Sequence, residues 1–333
     1  MSTAPVSAIA AELSDRLADM SFRIGTRKTP LALAQTERVI ARLREIVPAL
    51  PVEMVKIETS ADLWSGDLSA LGGKGAFTKE IDRALVTGRI DIAVHSMKDV
   101  PGDVPLPPGT EFGAYLDRGD VHDVVISRDG RPLAELPAGS KIGTSAVRRR
   151  AQLSLYRPDL ILERVRGGID TRIKKLDAGE YDALILARTG LERIGFQDRI
   201  TEVLPTTWSD GATVSMVPAV GAAVIGIQAR SADGPIMRLL EEINDKTTAM
   251  HITAERVMLH MLQGHCNSPI AGHAHTTPDN KLSLFGMVFS RDGSDWVRAH
   301  NWGPLDDPAS LGAVVAGDLL HQGARRLIMA TRK

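Results

Sequence analysis

The sequence predicts an α/β protein built from two similar α/β units around a hinged cleft, followed by a small α+β unit. Three observations carry this. The 333 residues exceed what one core usually supports. Short apolar strands alternate with amphipathic helical stretches in two successive series, and the last third changes to helix, strand meander, helix. The expected divisions are an extension over 1–20, a first unit over 21–116 joined by about 214–238, a second over 117–213 and a third over 239–333.

In the first series, a strand at Phe22 to Gly25 leads to Thr29-Pro30, a helix cap followed by proline in the first turn. The stripe Leu33, Val39, Ile40, Leu43 and Ile46 gives that helix its inner face, and Val52 to Ile57 supplies the next strand. Trp64 to Gly75, with four glycines, reads as a mobile loop able to act as a lid. Its Gly72-Gly73-Lys74-Gly75 lacks the glycine spacing and the following Ser/Thr of a phosphate loop. Phe77, Ile81, Ala84 and Leu85 mark the inner face of the next helix. Asp91 to Val94 is a strand that runs into His95-Ser96-Met97-Lys98-Asp99-Val100-Pro101, where proline ends the ladder. Ligands gather at the carboxyl ends of strands in open α/β sheets, and an adjacent lysine and carboxylate can hold an anion and handle a proton. Asp99 is the first candidate for chemistry; a turn cap beside a solvated Lys98 is the commoner role of such a pair.

The second series has strands near Val124 to Ser127, Lys141 to Thr144, Leu160 to Val165 and Ala183 to Ala187. Thr144-Ser145 is expected to open a helix whose first turns carry Arg148, Arg149 and Arg150, an anion site by construction. Lys141 to Leu176 holds ten basic and three acidic residues, a local +7 in a chain of net charge −1. Tyr156 is the one aromatic there, so base stacking is poorly served, whereas arginine forks suit small carboxylates. A solvated basic face is the competing account. Ser215 to Pro218 and Ala223 to Arg230 read as strands returning to the first unit, which would place a ligand between hinged units.

In the third unit a helix over about Thr247 to Leu262 precedes the loop Gln263 to Pro269, with alternating runs at Lys281 to Ser290 and Trp296 to Trp302 and a helix near Pro308 to Gln322. Cys266 is the one cysteine, so no internal disulfide forms and a reducing, cytoplasmic setting is expected. A lone cysteine is more often inert packing than a nucleophile. His260, His265, Cys266, His273 and His275 form a possible metal set, but without a second cysteine or a His-Glu-x-x-His helix no metal is expected. The N-terminal stretch is not a secretory signal, and the longest apolar run, Ala219 to Ile227, is broken by Gly221 and Gly226 and too short for a membrane. Balanced charge excludes a wholesale nucleic-acid binder.

Five motifs occur in order: Arg23-Ile24-Gly25-Thr26-Arg27-Lys28-Thr29-Pro30-Leu31-Ala32-Leu33-Ala34-Gln35, Gly72 to Glu80, His95 to Pro101, Gly143-Thr144-Ser145 with Arg148-Arg149, and the Cys266 loop with Pro269-Ile270. Together they closely resemble the porphobilinogen deaminases, also called hydroxymethylbilane synthases, from about Phe22 to the C-terminus. The resemblance implies two periplasmic-binding-protein-like domains and a third that carries the cysteine. It also implies a transferase of tetrapyrrole and heme synthesis that joins four porphobilinogens head to tail with loss of ammonia, then releases hydroxymethylbilane by adding water. The implied cofactor is a dipyrromethane held by a thioether, which maps to Cys266. By the match, Arg27, Thr29, Lys74, Ser96, Lys98, Thr144, Ser145, Arg148, Arg149, Arg166, Arg172 and Arg193 would bind cofactor and substrate carboxylates. Asp99, with Lys98, would protonate the leaving amine and stabilise the cation left behind, and Phe77 would gate the cleft. A monomer is expected, with porphobilinogen its partner and neither nucleic acid nor membrane involved.

The chain departs from the family pattern at Gly167-Gly168, where Gly-Asn is usual, at Gly221-Ala222-Ala223-Val224, where Gly-Gln-Gly-Ala is usual, and at Gly264-His265-Cys266, where Gly-Gly-Cys is usual. None removes Asp99 or Cys266. Competing readings are a non-catalytic carboxylate clamp, a divergent inactive paralogue, and a metal enzyme built on the histidines.

Overall fold

The computed structural model describes residues 21–64, 75–207, 214–265 and 268–331. Three sheets organise them. In the first, β1 (Phe22–Arg27), β2 (Val52–Ile57), β3 (Ile92–Ser96) and β4 (Thr110–Tyr115) are laid down in sequence. The second contains β5 (Asp123–Ser127), β6 (Lys141–Gly143), β7 (Ile161–Glu163), β8 (Ala183–Ala187) and β9 (Glu202–Val203). The chain then returns with β10 (Ile225–Arg230), which inserts between β3 and β4, antiparallel to both. The orders β2-β1-β3-β10-β4 and β7-β6-β8-β5-β9 share one plan, in which three parallel strands meet one reversed strand.

The two strand-rich units cohere because each sheet is covered by apolar helix faces. Helix Pro30–Ile46 begins at Thr29, whose side chain accepts from the Ala32 amide, and buries Val39, Ile40 and Leu43 against Phe22, Ile24, Ile92 and Ile227. On the other face, Ile81, Ala84 and Leu85 of helix Lys79–Val86 pack on Ile57, Ile90 and Ala93. In the second sheet, Leu153 of helix Val147–Tyr156 packs with Val125, Ile142 and Ile185, while Ile173 and Leu176 of helix Ile169–Asp177 pack with Ile126, Leu184 and Leu186.

The third sheet is the antiparallel meander β11 (Ile270–Thr276), β12 (Leu282–Phe289) and β13 (Trp296–Gly303). Helices Lys246–Met261 and Pro308–His321 cover one of its faces, with Ala254, Met258, Val315 and Leu319 meeting Ala274, Leu284 and Val288.

Several sequence expectations need correction. Ser215 to Pro218 is not a strand; it is a buried connection in which the Val217 amide donates to Gln152 and the Ser215 hydroxyl meets Tyr156, so side chains replace a ladder. The arginine-bearing helix starts at Val147 rather than at Thr144-Ser145, because the Ser145 hydroxyl donates to the Val165 carbonyl and caps nothing. Strands β4 and β11 and helices Gly234–Ile243 and Ala324–Met329 were not anticipated. No helix among the described residues is long and apolar enough to cross a membrane.

Candidate active site

The Lys-Asp-Val-Pro segment leaves β3 as a short 3-10 turn, Met97–Asp99, at the carboxyl end of the strand. Buried Met97 anchors the turn from below, and its amide donates to the Val224 carbonyl. From the third unit, Arg256 donates to the carbonyls of Val100 at 3.1 Å and Pro101 at 3.2 Å. Gly221 closes the fourth side: a Cβ there would sit 2.8 Å from the Met97 carbonyl carbon and 2.9 Å from the Lys98 nitrogen. A glycine with φ of +73° is therefore required where this strap crosses the turn.

Lys98 and Asp99 project into a cavity of about 210 Å3 lined from all three units, with Ala146, Arg148 and Arg149 from the second and Gly264, His265 and Ser268 from the third. Arg27 lies beside it, its Nη1 3.6 Å from Asp99 Oδ2. The same guanidinium is oriented by a bidentate pair with Asp62 and stands 4.6 Å over the Phe77 ring. Burial works to lower the pKa of Arg27, but the Asp62 hydrogen bond and the charges of Asp99 and Asp62 raise it on balance. Lys98 shifts the other way, lowered first by the enclosing protein and then by Arg149 and Arg193, against the pull of Asp99 and Asp123. Its side chain still meets water at the cleft surface, so exposure limits how far that shift goes.

Asp123 organises the arginines. Nearly buried, at 2% exposure, it accepts from Arg148 Nη2 at 2.6 Å and Arg149 Nη2 at 2.7 Å. Burial would raise its pKa, but the two guanidinium groups overcome that and hold it at about 2. Arg148 also donates to the Val217 carbonyl and Arg149 to that of Ile185, so both forks are fixed before any ligand arrives. Arg193 donates to the Ala223 carbonyl at 2.9 Å. Arg172 donates to the Gly167 carbonyl, and burial together with the charges of Arg149 and Arg166 lowers its pKa to about 10.

The predicted residues thus fall into distinct settings. Lys98, Asp99, Arg27, Arg149, Arg172 and Arg166 act electrically on one another across the cleft. Ser96 exchanges hydrogen bonds with Gln35 at 2.7 and 3.0 Å, beside Lys98 and Arg193. Thr29 serves as a helix cap and Ser145 as a loop tie. Lys74 and Cys266, with most of the expected lid, lie outside the described residues. The histidines do not converge: His260 meets the Gly102 carbonyl, His265 meets Thr331, and His273 and His275 lie in a separate hollow. Among the described residues no group of three metal-ligating side chains is assembled.

Asp123, Asp62, Arg256 and the buried pair Arg118 and Glu255 escaped the sequence reading. Glu255, fully buried, accepts from Arg118 at 2.7 Å and from the Gly221 and Ala274 amides at 2.7 and 2.8 Å, so it ties the strap to the third sheet. An aspartate opening a fully apolar strand, as in Asp123-Val124-Val125-Ile126, is the one available signal of a buried cationic partner.

Two family profiles match this chain: "porphobilinogen deaminase, dipyromethane cofactor binding domain" over residues 22–238 and "porphobilinogen deaminase, C-terminal domain" over 249–321. The chain belongs to the porphobilinogen deaminase family. Similar members include porphobilinogen deaminase 2 of Streptomyces coelicolor, 49% identical over 92% of this chain and 96% of the relative. The porphobilinogen deaminase of Syntrophobacter fumaroxidans is 42% identical over 94% and 98%, and that of Halalkalibacterium halodurans 43% over 93% and 97%. A methionine-bound nutrient binding protein from Burkholderia cenocepacia aligns with 67% of this chain and 91% of its own at 13% identity and a TM-score of 0.42, a likeness that carries no further conclusion.

The family's dipyrromethane cofactor can be tested against the residues present. Arg149 Nε, Arg193 Nε and Thr144 Oγ1 are buried without a hydrogen-bond partner among the described residues. Arg172 has its charge opposed by Arg149 and Arg166. A ligand bearing several carboxylates supplies both the missing acceptors and the missing negative charge, so the site fits the group.

Proposed function

We propose that this chain is a hydroxymethylbilane synthase: it condenses four porphobilinogen molecules head to tail with loss of ammonia and releases the linear product by adding water. The observation that carries this reading is Asp99 set 3.6 Å from Arg27 on the floor of an arginine-lined cleft. When bound, the dipyrromethane supplies the electron-rich pyrrole carbon to which the first incoming unit is joined, and Cys266 is its point of attachment.

Each porphobilinogen carries an acetate and a propionate. Lys98, Arg149, Arg166, Arg172 and Arg193 hold such carboxylates, the planar forks fixing orientation as well as charge. Asp99 delivers a proton to the substrate's aminomethyl nitrogen, and the carbon–nitrogen bond breaks as ammonia leaves. The carboxylate that remains at Asp99 stabilises the cation left on the substrate and takes back the proton displaced by the new carbon–carbon bond. Arg27 stands beside Asp99 at 3.6 Å, and Phe77, against Arg27, screens the pair from water.

On the same reading the chain has three domains, 21–116 with about 214–238, 117–213 and 239–333. A monomer acting on porphobilinogen belongs to the same proposal. Intact-protein mass spectrometry with peptide mapping tests the reading. An added mass of two linked pyrroles on Cys266, with conversion of porphobilinogen, is the expected result. An unmodified thiol after incubation with porphobilinogen would leave only a carboxylate clamp.

A further inference from the structure

The third sheet has a second face that its helices do not cover. Strand alternation puts Ile270, Ala274, Leu284, Val288 and Ala299 in the helix-side core and turns Met287, His273, Phe285, His300 and Trp302 the other way. The strand register aligns this outer face in rows: Ala271 with Met287 and Arg298, His273 with Phe285 and His300, and His275 with Ser283 and Trp302. At one end the face is sealed, where Ala271, Met287 and Phe289 pack on Ala151 of the second unit and on Val217 of the returning connection. Beyond that seal it opens into a hollow of about 610 Å3, roofed by Thr206 and Thr207. That volume lies within the roughly 300–1,000 Å3 typical of clefts that take small organic ligands.

The lining has a consistent chemistry. Three flat side chains meet edge to face or tilted: the His300 ring stands at 86° to Phe285 with centroids 5.5 Å apart, and at 35° to Trp302, which flanks the hollow, with centroids 4.1 Å apart. His273 and His275 are stacked at 5.7 Å. His275, His300 and Trp302 are exposed, the last at 54%. Arg298 contributes a guanidinium to the same hollow, and none of the described lining residues is acidic. A metal does not suit the arrangement, because His273 and His300 lie two strands apart with Phe285 between them, about 10 Å at ordinary strand spacing.

We infer that this hollow is a binding site, separate from the catalytic cleft, for a flat conjugated carboxylate. The ring lies over the His273, Phe285 and His300 row, where mutually perpendicular rings offer a face and an edge to a π-system, and the carboxylate pairs with Arg298. None of these residues lines the cavity that holds Asp99.

The test is a fluorescence titration of the full-length protein with anthracene-9-carboxylate, alongside the neutral 9-anthracenemethanol. Saturable binding of the acid is expected. Arg298→Gln should weaken the acid by about tenfold, the loss of one charge-assisted contact, while leaving the alcohol and porphobilinogen consumption unchanged. His300→Ala, at an exposed position, should weaken acid and alcohol alike. Arg149→Gln, in the catalytic cleft, should leave both affinities as they were. No saturable binding, equal affinity of Arg298→Gln and the unaltered protein, or an affinity that follows Arg149 would each overturn the assignment.

Discussion

Arg27 Nη1 stands 3.6 Å from Asp99 Oδ2, too far for a hydrogen bond and close enough for a strong charge interaction. The guanidinium is held there by a bidentate pair with Asp62. Asp99→Asn keeps the shape and removes both the proposed proton donor and the negative charge. Turnover should fall by at least about 10²-fold, the usual contribution of a positioned acid–base group. Circular dichroism and the thermal midpoint should stay near those of the unaltered protein; near-normal porphobilinogen consumption would remove Asp99 from the chemistry.

Asp123 carries a structural cost of another kind. Asp123→Asn leaves Arg148 and Arg149 charged, buried and short of a counter-ion, and breaking a buried pair in this way costs about 3–5 kcal/mol. Urea unfolding at pH 7 should show a lower midpoint with an unchanged slope. A midpoint equal to that of the unaltered protein would mean the arginines find other partners.

The same residue sets an acid limit. Its folded pKa of about 2 lies below the unfolded value of about 4, so its carboxylate stabilises the fold fully above pH 4. That contribution is lost as pH falls from about 4 through 2, when the native state must take up the proton. Urea midpoints measured from pH 5 to pH 2 should therefore decline more steeply for the unaltered protein than for Asp123→Asn.

Ala223 holds a φ of +65°, a left-handed conformation that costs an L-residue roughly 1 kcal/mol. Its carbonyl faces Arg193 as a result. Ala223→Gly should raise the thermal midpoint by about 2–4 °C and leave turnover little changed. Gly221→Ala should do the reverse, since its Cβ would press on the Met97 and Lys98 backbone. A drop in turnover larger than the drop in stability would show that the strap positions the catalytic turn.

Much of this arrangement was legible in the residues because local signals and burial agree. Thr29-Pro30 announces a capped helix, and the stripe through Val39, Ile40 and Leu43 names its inner face. Asp99 was legible as a strand-end carboxylate. The partners were not: Asp123 lies 25 residues before Arg148 and Glu255 lies 137 after Arg118, and no periodicity links such positions. Ser215 to Pro218 misled because apolar content alone does not separate a strand from a buried connection satisfied by Gln152 and Tyr156. The aromatic face of the third sheet was hidden for a related reason, since β11 went unrecognised and its histidines read as candidate metal ligands.

The insertion of β10 between β3 and β4, where Ser96 pairs with Ile225, also sets an order of events during synthesis. The first sheet lacks a central strand until residues 225–230 have left the ribosome, by which time every strand of the second sheet is already available. The second unit can therefore finish folding first, while β3 and β4 wait with unpaired edges. The Met97–Asp99 turn, tied by the Met97 amide to the Val224 carbonyl, forms only when that wait ends.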